Sequence, residues 1–154
     1  MIDPRMRKLA DVLVDHSITL QKGEVVYIEA FDMPEEMLEV LVEKVYQREA
    51  IPLISLRSNR LLRKFLKGAD EKTVRITAET ELEKIKRSQA YIGMRGAMNI
   101  MENSDVSAEN MKLYHEHWLG PVHTNWRTWR SAWCSPGAAC LPPAPRSRSW
   151  RIKD

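Results

Sequence analysis

The sequence predicts an α/β protein: a parallel sheet with helices on both faces, followed by an irregular tail over residues 125–154. Three observations carry this reading. Residues 25–30 and 90–94 are short, mostly apolar runs without alternation, which suits strands covered on both faces. Longer segments between such runs place apolar residues at helical spacing. Beyond Thr124 both patterns stop and the composition changes.

Asp3-Pro4 opens the first helix, since Asp caps free N–H groups and Pro suits the first helical position. Met6, Leu9, Ala10, Leu13 and Val14 then fall on one face. Lys22-Gly23-Glu24 makes a turn into the first strand. Asp32 with Glu35 three positions on resembles a capping box, and Glu36 adds charge favourable to the helix dipole. Met37, Leu38, Leu41, Val42 and Val45 form that helix's buried stripe. Residues 51–56 are a second strand, with Pro52 tolerable near its start. Ser58 or Asn59 caps a short helix carrying Leu61, Leu62, Phe65 and Leu66, stopped at Gly68. Residues 70–80 show no clear pattern, whereas residues 81–87 read as helix with Leu82 and Ile85 inward. The third strand is 90–94, and Ser107 opens a last helix with Met111, Leu113 and Tyr114, ending before Gly120-Pro121. Strands joined by helices of this length imply right-handed crossovers, with the three strands as buried neighbours.

The 154 residues fit one domain, and 44% hydrophobic with 29% charged residues is the balance of a folded chain. No signal-like apolar block opens the sequence, and nothing approaches the roughly 18 apolar residues of a membrane span. The expectation is a cytoplasmic protein without a membrane partner. The net charge of +3 divides unevenly: up to Gly120 there are 18 Lys+Arg against 20 Asp+Glu, and afterwards six against one. The basicity therefore belongs to the tail, and the domain carries no patch that asks for nucleic acid. Cys134 and Cys140, alone and six apart, form neither a disulfide framework nor a four-ligand zinc site.

Chemistry is sparse. Gly93-Met94-Arg95-Gly96 lacks the Gly-Lys-Ser/Thr or three-glycine pattern of a phosphate loop, and reads as a turn. It does lie at a strand's carboxyl end, where open α/β sheets bind ligands, so Arg95 and Asn99 are candidates for a cleft or for a structural or inter-domain role. His115, His117 and His123 could chelate zinc, but residues two apart on a helix point about 200° apart, so the first two cannot share an ion. Glu35, Glu36, Glu39 and Glu43 flank the apolar stripe of one helix, as a solvated face does.

Several segments resemble the thermophilic metalloaminopeptidases of the aminopeptidase T and aminopeptidase S type. They are Asp3-Pro4-Arg5 with Lys8-Leu9-Ala10 and Leu13-Val14; Lys22-Gly23-Glu24 leading into Val26-Tyr27-Ile28-Glu29-Ala30; and Ala90-Tyr91-Ile92-Gly93-Met94-Arg95-Gly96 with Asn99. Ser104-Asp105-Val106, Met111-Lys112-Leu113-Tyr114 and Pro121-Val122-His123-Thr124 come next, in order. The resemblance covers residues 1–124 and implies an amino-terminal α/β domain of a homodimeric two-metal exopeptidase. Such an enzyme uses divalent ions, zinc, cobalt or similar, to remove amino-terminal residues from a peptide substrate. It also implies that the ligands lie in a second domain further along, so no residue here is assigned a catalytic, cofactor-binding or metal role and no metal is expected in this chain. The alternative is a non-catalytic α/β binding or dimerisation module, and a second rival is a nucleic-acid or membrane binder acting through the tail.

Two departures stand out. Where the family has a small Gly-Ala, Arg48-Glu49-Ala50 deprives the second helix of its usual stop. Residues 125–154, rich in Trp, Arg and Pro and built almost wholly from residue types whose codons are GC-rich, match none of the family's continuation. They read as out-of-frame translation, with a genuine basic tail as the other possibility.

Overall fold

In the computed structural model the described residues are 2–96, 102–121 and 130–134. They form a four-stranded parallel sheet in the order β2-β1-β3-β4, with helices on both faces, as the sequence predicts. The strands are β1 (Val25–Phe31), β2 (Ile51–Arg57), β3 (Ala90–Arg95) and β4 (Arg130–Cys134). The helices are α1 (Pro4–Asp11), α2 (Glu35–Gln47), α3 (Asn59–Gly68), α4 (Glu71–Lys86) and α5 (Ala108–Tyr114). π-helical turns at Val12–Ser17 and His115–Leu119 extend α1 and α5. No helix among the described residues is long and apolar enough to cross a membrane.

Side chains alternate across the sheet and divide the core in two. Val26, Ile28 and Ala30 of β1 pack with Ala90, Ile92 and Met94 of β3 and Ala132 of β4 against α1 and α2. On the opposite face Tyr27 and Tyr91 join Leu66, Ala78, Ile85, Tyr114 and Trp118 under α3, α4 and α5. Asp3 caps α1 as expected, its carboxylate accepting from Arg5 N–H at 2.8 Å. Ser107 does the same for α5, accepting from Asn110 N–H at 3.2 Å. Gly23, at φ +79°, supplies the left-handed position of the turn into β1.

The structure corrects five expectations. Residues 125–154 are not irregular throughout, because Arg130–Cys134 is β4, parallel to β3 with Ile92 opposite Ala132. A five-residue edge strand is too short to show a period, and its place is fixed by β3 and by Arg130, whose guanidinium donates to Thr19 O at 2.8 Å and pairs with Glu24. β2 is not a buried neighbour of two strands but an edge, with Ile54 42% and Leu56 66% exposed. Residues 70–80 belong to one continuous helix, α4, whose Asp70 cap accepts from Thr73 N–H at 2.8 Å. Its apolar stripe is thin because Glu81 lies on the buried side.

The fourth correction concerns Asp32, which caps α3 rather than α2. Its carboxylate accepts from the Asn59 N–H at 3.1 Å and side-chain amide at 2.7 Å, while α2 starts after Pro34 without a side-chain cap. Ser58 precedes α3 but makes no capping bond. The fifth is the end of α2, which stops at Gln47 without a glycine. Glu49 takes φ +53°, and the Glu49 and Ala50 N–H groups close onto Tyr46 O (2.9 Å) and Val45 O (3.2 Å).

Ile28 and Ile92 are 1% and 0% exposed at adjacent register positions in the sheet's centre. Replacing either by Ala is expected to lower unfolding free energy by about 2–5 kcal/mol in urea titration. A loss below about 0.5 kcal/mol at both would show that the site is not packed.

Candidate functional site

The one strongly polar region of the buried interior, among the described residues, lies on the tyrosine-bearing face of the sheet. Two-residue alternation sends Tyr27 and Glu29 of β1, Ser55 and Arg57 of β2, and Tyr91 and Arg95 of β3 to this side. α4 lowers Glu81 and Lys84 onto them. Tyr27 Oη donates to Glu81 Oε2 at 2.6 Å, and Tyr91 Oη to Glu29 Oε2 at 2.7 Å. Arg57 sits between the carboxylates, Nε 3.0 Å from Glu29 Oε1 and Nη2 2.8 Å from Glu81 Oε2. Neither nitrogen is angled for a proper hydrogen bond, so the attraction is mainly Coulombic. Lys84 Nζ adds contacts of 3.1 Å to both Ser55 Oγ and Glu81 Oε1. The Arg57 guanidinium also lies over the Trp118 ring, 4.6 Å from its centroid.

The electrostatics favour neutral tyrosines, an ionised Glu81 and a charged Arg57. Burial and the Glu29 charge push the Tyr27 and Tyr91 hydroxyls well above the usual tyrosine range. Burial and Glu29 likewise push Tyr114 up to about 12. Burial works against ionisation of Glu81, but the Tyr27 hydroxyl, Arg57 and Lys84 outweigh it and hold the carboxyl below its usual range. Burial opposes the charge on Arg57 too, and Glu81 and Glu29 overcome it. General acid–base work needs a carboxyl poised near the working pH, with room for substrate beside it. Glu81 is instead locked as an anion by its neighbours. The nearby cleft of about 240 Å³ reaches Arg57 through Leu56, Leu62, Phe65 and Trp118, and neither carboxylate lines it. This is a structural clamp.

The carboxyl ends of the strands, where the strand order reverses between β1 and β3, are drawn together by backbone. Gly96 N–H donates to Phe31 O at 2.7 Å, and a Cβ on Gly96 would lie 2.0 Å from Asp32 O. Gly96 is therefore a close-approach glycine. Arg95 stacks on Phe31 at 3.8 Å from the ring centroid, with Nη2 3.7 Å from Glu29 Oε2. Asn99, the other candidate at this end, lies outside the described residues. His115 is exposed at the end of α5, and His117 Nε2 is 3.9 Å from Glu71 Oε1; His123 also lies outside the described residues. Glu35, Glu36 and Glu39 are exposed on α2, and Glu43 pairs loosely with Arg7 at 3.9 Å. Among the described residues no three His, Cys, Asp or Glu side chains converge as a metal would require. The clamp itself escaped the sequence reading, although Glu29 inside an apolar strand was its visible sign.

The chain belongs to the thermophilic metalloprotease (M29) family, whose profile matches residues 2–139. That span includes β4, well past Thr124. Among solved structures it is similar to wild-type AmpT from Thermus thermophilus, with a TM-score of 0.65 and 16% identity over 84% of this chain. The match spans 35% of the AmpT chain, and at this identity the likeness is one of fold. No curated protein matches the chain.

Arg57→Met leaves two buried carboxylates without their shared cation and is expected to cost about 3–5 kcal/mol in urea titration. Lys84→Met, removing a half-exposed partner, should cost under about 1 kcal/mol. Similar small losses for both would show that the clamp does not hold the sheet. The tyrosines set an alkaline limit. A folded pKa raised above 10 contributes stability that is complete below pH 10 and lost as pH rises towards about 12 for Tyr114. Ionisation measured at 295 nm should therefore lag for Tyr27, Tyr91 and Tyr114, then proceed together with loss of near-ultraviolet dichroism.

Proposed function

We propose that this chain is the amino-terminal α/β domain of a metal-dependent aminopeptidase, a homodimeric enzyme that releases amino-terminal residues from peptides in the cytoplasm. The observation that carries the reading is the family match, which runs across every strand of the sheet. The proposed domain takes in the residues that the family profile matches, through β4 to residue 139, and the sequence after it is a basic tail, out of frame with the family's continuation.

The metal that the family's chemistry requires does not fit the residues described. Among them the histidines stay apart, and the two buried carboxylates are already committed to Arg57, Tyr27, Tyr91 and Lys84. The domain's contribution is then architectural: a rigid sheet whose carboxyl edge, closed by Gly96 and Asp32, supports a catalytic domain supplied by further sequence. A domain spanning 35% of the related AmpT chain leaves ample length for one there. A non-catalytic binding module of the same fold is the rival, and the coding DNA separates them. A metal-binding domain encoded in another reading frame beyond the matched residues supports the peptidase.

The purified 154-residue chain is expected not to hydrolyse amino-acid p-nitroanilides with added zinc, cobalt or manganese, and to retain no stoichiometric metal after dialysis. Metal-dependent release of amino-terminal residues, abolished by a chelator, would overturn the assignment of catalysis to a separate domain.

A further inference from the structure

We propose that the outer edge of β2 binds an extended peptide segment of another protein as an added strand, the segment's side chains falling alternately beside α2 and beside α3. The proposal is argued from this edge alone and does not rest on peptidase activity.

In a parallel pair each residue points its N–H and C=O to one side of the strand, and the side alternates along the chain. Ile51 N–H donates to Glu24 O at 2.8 Å, and Arg57 O accepts from Asp32 N–H at 3.0 Å, so residues 51, 53, 55 and 57 face β1. The backbones of Pro52, Ile54 and Leu56 therefore face outward. Among the described residues β2 ends the sheet, which leaves the N–H and C=O groups of Ile54 and Leu56, with Pro52 O, as a ladder without a partner strand. Pro52 has no N–H to offer and closes that ladder at its amino end. The Ile54 and Leu56 side chains along it are exposed. An open ladder beside exposed apolar side chains is the arrangement that strand addition uses: main-chain hydrogen bonds give affinity, and flanking pockets choose the side chains.

The two flanks of this edge select side chains of different kinds. On the α2 side a groove of about 470 Å³ is floored by Leu38, Val42, Ile54 and Leu56 and rimmed by Glu35 and Glu39. On the α3 side the 240 Å³ cleft has Leu56, Leu61 and Phe65 in its lining, and Arg60 and Lys64 line the adjoining surface. Leu56 belongs to both, so the two open on either side of the same stretch of edge. Among the described residues Glu35 and Glu39 meet no cation, and Arg60 and Lys64 meet no carboxylate. Successive side chains of an added strand point to opposite faces, one set for each groove. The segment that fits carries lysine, arginine or aliphatic residues at every second position, for the acidic groove. Between them it carries glutamate, aspartate or aliphatic residues, for the basic cleft. A helix cannot serve, because its own N–H and C=O groups are already spent along its axis.

The probe is a labelled synthetic peptide of about eight residues with blocked ends, lysine and valine on one side of the strand and glutamate and valine on the other. Titrated with the whole chain under reducing conditions, its fluorescence anisotropy should report a dissociation constant of about 100 μM or tighter. N-methylation of the peptide residues that face β2 removes ladder donors and should abolish binding, whereas N-methylation of the alternate residues should leave it intact. Ile54→Pro deletes one outward donor while keeping every bond to β1, and should weaken binding by about tenfold with circular dichroism unchanged. The reversal R60E with K64E, which leaves the backbone alone, should weaken it too. No binding at about 1 mM, equal effects of the two N-methylated peptides, or binding indifferent to both variants would each overturn the proposal. So would sedimentation showing the edge taken by a second copy, with self-association lost in Ile54→Pro.

Discussion

Arg57 holds the sheet and its helical cover together. It ends β2, yet its guanidinium reaches Glu29 of β1 and Glu81 of α4 while resting on Trp118 beyond α5. Burying one cation with two anions is unfavourable unless the remaining charge is offset, and Lys84 and Arg95 stand beside the pair to do so. Because each carboxylate also accepts from a buried tyrosine, α4 can settle over the sheet in one registration that satisfies all of them. The apolar contacts on this face supply burial but little direction, so orientation rests on the charged set.

The carboxyl ends of the strands are ordered by a different device. Asp32, at φ +48°, turns the chain as it leaves β1 and sends its carboxylate to the first N–H of α3, twenty-seven residues away in sequence. Its N–H meanwhile bonds Arg57 O at 3.0 Å, and its backbone leaves no space for a Cβ at Gly96. One residue thus ties together the ends of β1, β2 and β3. In many open sheets this crevice receives a ligand. Here a side-chain carboxylate already occupies the positive end of α3, and the glycine that would otherwise suggest a binding loop serves close packing.

The described residues of this metalloprotease-family chain converge on no metal, and their buried charges are spent on one another. The Arg57 clamp satisfies the buried charges inward, and the exposed apolar surface lies elsewhere. It is the β2 edge, where Glu35 and Glu39 of α2 and Arg60 and Lys64 of α3 lie to either side of exposed Ile54 and Leu56. The two flanks of this strand differ accordingly: Ser55 and Arg57 look into the clamp, Ile54 and Leu56 look away from it.

By itself the sequence determined the fold class, the strands β1 and β3, the helices α1, α2, α3 and α5, and the family. Each element rests on local pattern or local capping: unbroken apolar runs, stripes at helical spacing, Asp3 and Ser107 at their own helix starts. What required the tertiary structure was everything set by distant partners. Asp32 had two helices within reach of its carboxylate, and the packing of α3 beside β1 chose the one further along the chain. α4 was obscured because Glu81 breaks its apolar stripe, an interruption that makes sense only with Arg57 and Tyr27 opposite. β4 is too short to announce itself and is strand because β3 offers an unpaired edge. That β2 lies outermost, with its leucine exposed, is a consequence of strand order, which periodicity along one chain does not encode.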